Sequence, residues 1–161
     1  MNTSFQGDTD AQGGKDEWLT PPWVVRELGP FDLDPCSPLE RPWDTALNHF
    51  DCIDDGLFLD WFGNVWCNPP YGREMAQWLK KASVHNNCMV LIFARTETRA
   101  FFDHVWCKAS AVFFLKGRLR FHHVDGRQGS SAGAPSVLVA YGEEMAGRLE
   151  KCKISGKYIR L

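Results

Sequence analysis

The 161-residue chain has no apolar run near the roughly 18 residues that a membrane-spanning helix needs, and its first residues show neither a basic stretch nor an apolar leader core. A cytoplasmic protein with no membrane contact is therefore expected. It has no Cys-x-x-Cys pair: Cys36, Cys52, Cys67, Cys88, Cys107 and Cys152 are scattered, without a histidine at ligand spacing. That argues against a zinc site, and the cysteines inside apolar runs read as small hydrophobes. The chain also lacks an excess of positive charge, since 18 Lys and Arg stand against 20 Asp and Glu, a net of −2. The molecule as a whole does not attract a polyanion, so any such contact must come from local clusters. No internal repeat is visible.

What remains is ordinary globular composition, 44% hydrophobic and 24% charged, enough for one core and one domain. Residues 1–15 are polar with a single aromatic and read as a flexible tail, leaving 16–161 as the folded unit. Basic residues gather at Lys116, Arg118, Arg120 and Arg127, and again at Arg148, Lys151, Lys153, Lys157 and Arg160. Such runs suit a phosphate-facing stripe as well as a solvated surface.

Thr20 is placed to cap a short helix with Pro21 in its first turn, Val24, Val25 and Leu28 on one face, and Gly29-Pro30 at its end. "FDLD" (Phe31 to Asp34) is a brief strand stopped by Pro35, and a loop-rich stretch with turn signals at Asp54-Asp55-Gly56 follows. "NVWC" (Asn64 to Cys67) is a buried strand. Met75, Trp78, Leu79 and Ala82 predict a helix over Arg73 to Ser83, and "CMVLIFA" (Cys88 to Ala94) is a central strand covered on both faces. A second helix, capped near Thr96 or Thr98, turns Phe101, Phe102, Val105 and Trp106 inward. "AVFFL" (Ala111 to Leu115) and "SVLVAY" (Ser136 to Tyr141) are further strands, with Arg118 to Ser131 a polar excursion between them. The alternation predicts a single-domain α/β fold with a mostly parallel sheet and an antiparallel hairpin near its end. Ligands in such sheets bind beyond the carboxyl ends of strands, which points to the loops after Asp34 and Cys67.

The loop after Cys67 reads Asn68-Pro69-Pro70-Tyr71. Pro69 forces Asn68 into extended backbone and neither proline donates a hydrogen bond, so the chain leaves the sheet stiff, with acceptors fixed in advance. An Asn side-chain oxygen beside a proline carbonyl can take both hydrogens of an amino group, and Tyr71 offers a flat face for a planar ring. A base-borne amine fits. Adenine's amine is a poor nucleophile because its lone pair is delocalised; accepting both hydrogens favours a pyramidal nitrogen, open to direct methyl transfer.

In order, "DEWLTPP", "FDLDPC", "DDGL", "VWCNPPYG", "ARTETRAFF", "KGRLRF" and "APSVLVAY" resemble the phage-type DNA N-6-adenine methyltransferases, the small phage Dam family, from about Asp16 to Tyr141. The resemblance implies a Rossmann-like fold, S-adenosylmethionine as cofactor, double-stranded DNA as partner and a phage or prophage setting. It implies that Trp18, Thr20 and Pro21 contact the cofactor's methionine end, that Asp34 and Pro35 form the first cofactor motif with the carboxylate taking the ammonium, and that Asp55, with Asp54 a near equal, accepts from the cofactor's adenine. Asn68, Pro69, Pro70 and Tyr71 would be the catalytic corner, with Phe121 the opposite stacking wall. Arg118, Arg120 and the basic C-terminal stretch are left to contact DNA. "DPCSPLERP" has no glycine, unlike the Gly-rich turn of the wider methyltransferase superfamily. Asn-Pro-Pro-Tyr alone would also suit an enzyme acting on RNA, cytosine or a protein amide, and the reduced first motif a non-catalytic DNA-binding remnant. His122 and His123 read as surface-loop residues.

Overall fold

The structure, a computed structural model, describes residues 17–161, so the expected tail over 1–15 lies outside the described residues. Helix α1 spans Pro22–Leu28 with Pro22 in its first turn, where a missing N–H costs nothing. Its N-cap is Pro21, not Thr20: Thr20 is buried and its carbonyl accepts the Trp43 indole N–H at 3.3 Å. Strands β1 (Leu33–Asp34), β2 (Asn48–His49) and β3 (Val65–Cys67) are short. Helix α2, Met75–His85, ends at Asn86 in the left-handed region, and β4 (Cys88–Phe93) follows.

Thr98 caps the next helix, accepting the Phe101 N–H at 3.3 Å. This α3 (Arg99–Phe101) widens at once into a π-helical segment, Phe102–Trp106, so Phe102 is 53% exposed rather than inward-facing, while Phe101 and Val105 are buried. Strand β5 (Ala111–Leu115) leads into an antiparallel hairpin of β6 (Arg120–His122) and β7 (Gln128–Ser131), where the sequence read only a polar excursion. Strand β8 (Ser136–Tyr141), helix α4 (Glu143–Lys151) and strand β9 (Gly156–Arg160) complete the chain.

Seven strands form one sheet in the order β2-β1-β3-β4-β8-β5-β9. The first four are parallel; β8 lies antiparallel between β4 and β5, and β9 is antiparallel at the edge, so β1 to β5 share a direction. The expected α/β class, mostly parallel sheet and antiparallel β5–β8 pairing are all present. Alternation along β4 explains its unbroken apolar run: Met89 and Leu91 join the core under α1 and α4, while Val90 and Ile92 join the core under α2 and the π segment. Trp66, expected as core, is fully buried beneath α1 and α4. Among the described residues no helix is long and apolar enough to cross a membrane.

Shared direction puts the carboxyl ends of β1, β3, β4 and β5 on one rim of the sheet. There the loops enclose a cavity of about 1140 Å³, whose walls include Pro35, Asp55, Asn68, Tyr71, Phe93 and Phe121.

Candidate active site

The β3 exit forms the centre of this cavity. Val65, Trp66 and Cys67 are fully buried, so the strand is anchored up to the residue before Asn68. Asn68, Pro69, Pro70 and Tyr71 all line the cavity. The Asn68 amide Nδ2 reaches the Trp18 carbonyl at 3.5 Å, and its Oδ1, covered from solvent, has no partner among the described residues. A covered acceptor without a donor is costly, of order 1–3 kcal/mol, so one left at a cavity wall marks a place for a ligand's N–H. Tyr71 is 42% exposed. Its ring stacks on Phe93, centroids 4.2 Å apart and planes 2° from parallel, which fixes the ring plane and leaves its other face for a ligand. Phe93, at the carboxyl end of β4, carries no signal in the sequence beyond that of a strand residue.

The β1 exit behaves differently. Asp34 is 3% exposed and does not line the cavity. One carboxylate oxygen accepts the Cys36 N–H at 3.0 Å and the other accepts a short hydrogen bond from the buried Thr45 hydroxyl. Burial, opposed by those two bonds, raises its pKa to about 6. Asp34, expected to meet a ligand's ammonium, has its carboxylate turned into the fold, where it shapes the loop, while Pro35, Cys36, Ser37 and Pro38 present that loop to the cavity. Burial, aided by Asp34, pushes the Cys36 thiol up and leaves it protonated.

The acidic loop carries both aspartates. Asp54 Oδ2 accepts the Asp51 N–H at 3.1 Å and Asp55 Oδ1 accepts the Leu57 N–H at 3.2 Å, and of the two Asp55, in the left-handed region at φ 56°, lines the cavity with Asp51. Gly56 explains the "DDGL" pattern, since a Cβ there would lie 1.9 Å from the Pro35 carbonyl oxygen; only glycine lets this loop close on the β1 exit. Lys81 of α2 holds the loop beyond, donating to the Leu57 carbonyl at 2.8 Å and to the Leu59 carbonyl. Sequence reading missed Asp51, Lys81 and the cavity-lining Glu17, Glu74 and Gln77, since nothing in their spacing marks them.

The third wall is the β6–β7 hairpin. Phe121 is buried and lines the cavity beside Ser130 to Gly133. Arg118 and Arg120 are exposed and lie outside the cavity, Arg118 donating to the Ala132 carbonyl at 3.2 Å. Leu19 pairs with His122 through reciprocal backbone bonds of 2.8 and 3.0 Å, so the segment before α1 is stitched to the hairpin. Trp18 lies against Gly129, where a Cβ would approach its ring to 2.8 Å, and against His123, centroids 4.6 Å apart. His122, paired with Leu19 and edge-on to Trp43 at 5.1 Å, is a strand residue and not a loop one. Of the expected cofactor residues, Trp18, Pro35 and Asp55 line the cavity; Thr20, Pro21 and Asp34 do not. Among the described residues no group of His, Cys, Asp or Glu is arranged to hold a metal ion.

The site thus joins a stiff acceptor corner, two stacked rings and an acidic pocket rim, fitted to an amine on a planar ring beside a cationic ligand. Comparison of the sequence with curated proteins and with solved structures returns no match. The family model for DNA N-6-adenine-methyltransferase (Dam) matches residues 8–154, nearly the whole chain and every wall of this cavity. By that match, the chain belongs to the Dam family of DNA N-6-adenine-methyltransferases.

Proposed function

We propose that this protein transfers a methyl group from S-adenosylmethionine to the exocyclic amine of an adenine flipped out of double-stranded DNA, on a Rossmann-like methyltransferase fold. The observation that carries the reading is the unpartnered Asn68 Oδ1 at a rigid strand exit, beside the Tyr71 ring, in a cavity with room for a nucleoside cofactor and a base together. In this reading Asn68 Oδ1 and the Pro69 carbonyl accept the two amine hydrogens and aim the nitrogen lone pair outward. Tyr71, backed by Phe93, stacks on the extruded base, and Phe121 closes the opposite side.

The residues present fit the cofactor. Glu17, Asp51, Asp55 and Glu74 line the cavity and suit a ligand carrying a sulfonium and an ammonium charge. Asp51 follows the carboxyl end of β2, the position from which an acidic side chain reaches ribose hydroxyls in doubly wound sheets. Asp55 takes the cofactor's adenine amine, and Asp34 acts at one remove by holding the Pro35–Pro38 loop. When bound, S-adenosylmethionine supplies an electrophilic methyl group, and the displaced amine proton leaves to solvent. Arg118 and Arg120 on the hairpin bring the duplex to the cavity mouth.

The test is incorporation of labelled methyl into adenine-containing duplex DNA, with N6-methyladenine identified after hydrolysis. Wild type should incorporate label, and Asn68→Ala and Tyr71→Ala should not approach it; equal incorporation by all three would sink the site assignment.

A further inference from the structure

Some of the chain's exposed cations are paired within the fold and others are not. At the amino end of β5, Arg160 pairs with Glu143; on α4, Arg148 pairs with Glu144 at 2.7 Å and also donates to the Leu28 and Pro30 carbonyls. Those charges are compensated within the fold. At the carboxyl end, Lys116 follows β5 and its N–H donates to the Ser155 carbonyl at 2.9 Å, while Lys157 stands opposite Phe114 in the β5–β9 register. Lys153 lies two residues before Ser155. Lys116, Lys153 and Lys157 are all exposed, and none has an ion pair among the described residues. Glu27 adjoins this corner, its Oε1 accepting the Lys153 backbone N–H at 2.5 Å.

The corner shares the rim with the cavity. From β3, which carries Asn68, to β9 the order β3-β4-β8-β5-β9 spans four strand spacings, about 19 Å. The exposed Arg118 and Arg120 lie along the chain between the corner and the cavity wall at Phe121. A duplex carries one phosphate charge per ~1.7 Å of axis, so on the order of ten phosphates span that distance. Uncompensated ammonium groups on flexible stems, continuous with a base-accepting cavity on a chain of net charge −2, match the phosphate backbone beside the modified base.

We infer that Lys116, Lys153 and Lys157 form a second DNA-contact surface, which grips the phosphates of the duplex flanking the target base independently of its sequence. The inference rests on the proposed reaction with duplex DNA. Within the basic C-terminal stretch, Lys153 and Lys157 belong to the interface, and Arg148 and Arg160 to the fold.

The experiment measures binding of the full chain to a fluorescent duplex across a range of KCl, with methyl incorporation in parallel. The triple variant Lys116→Gln/Lys153→Gln/Lys157→Gln should flatten the slope of log K against log [salt] by about 2 to 3, near 0.9 per lost phosphate contact. It should weaken binding equally on different duplex sequences, raise KM for DNA, leave kcat at saturating DNA unchanged and keep the wild-type melting temperature. Arg160→Gln, the paired cation, should leave the slope as in wild type. An unchanged slope in the triple variant, with wild type binding and methylating DNA, overturns the lysine surface alone. A wild-type protein that neither binds duplex nor methylates it overturns the reaction and the surface together.

Discussion

Two strand exits on the same rim follow opposite rules. At the end of β1, Asp34 is an ionisable group with both oxygens satisfied by the fold, from Thr45 and Cys36. At the end of β3, Asn68 is a neutral group whose oxygen has no partner among the described residues. The charged residue does structural work and the uncharged one faces the cavity. In a buried setting, polar atoms that folding has already satisfied have little to offer a ligand, whereas a rigidly held acceptor without a donor has everything to offer.

The widest break between the two exits should come from paired alanine variants. Asn68→Ala removes an acceptor that the fold does not use, so turnover should fall on the order of 10²- to 10³-fold with the melting temperature nearly unchanged. Asp34→Ala leaves the Cys36 N–H and the Thr45 hydroxyl without their acceptor and should cost roughly 1–3 kcal/mol of stability in denaturant titration, with much less effect on turnover per folded molecule. If the two variants exchanged effects, the contrast would be wrong.

A smaller effect sharpens it through pH. Asp34's pKa stands above its ordinary 3.8, at about 6 in the folded protein, so the fold favours the protonated form. Its contribution is fully present below pH ~4 and is lost as pH rises through about 6, a change of roughly 2–3 kcal/mol. Asp34→Asn should flatten that part of the stability curve, measured by chemical denaturation from pH 4 to 7. A wild-type profile that rises over this window would contradict the buried, raised carboxylate. Smallest is Phe93→Leu, which removes the ring behind Tyr71: turnover should drop about 2- to 10-fold, from a pair worth ~0.5–1.5 kcal/mol, while Phe93→Tyr keeps most of it.

The strongest periodic signals were legible in the sequence. The unbroken apolar run of β4 and the helical spacing of Trp78, Leu79 and Ala82 gave elements of the right type, because burial on two faces or one face writes itself into residue pattern. The β6–β7 hairpin did not show, since "QGSS" has neither β-branched nor aromatic residues and is held by pairing with its neighbour. Strand β9 was hidden in a basic run whose side chains are mostly exposed. Within the site, the Asn-Pro-Pro-Tyr corner was legible because proline restricts the backbone locally. The direction of Asp34 was not, because it depends on Thr45, eleven residues away, and the placing of Asp55 rather than Asp54 at the cavity wall depends on the turns closed at Asp51 and Leu57. Thr20 carries a capping residue's chemistry, but the helix begins at Pro22, so the cap position falls on Pro21.

The bridge between Leu19 and His122 joins residues about a hundred positions apart. Closing so long a loop is slow compared with forming the helices it encloses. During synthesis, the Asn-Pro-Pro-Tyr corner emerges well before the hairpin that brings the Trp18 carbonyl to it. A nascent chain therefore displays the acceptor corner without its facing wall, and the ability to hold a base arrives as a single late event of maturation.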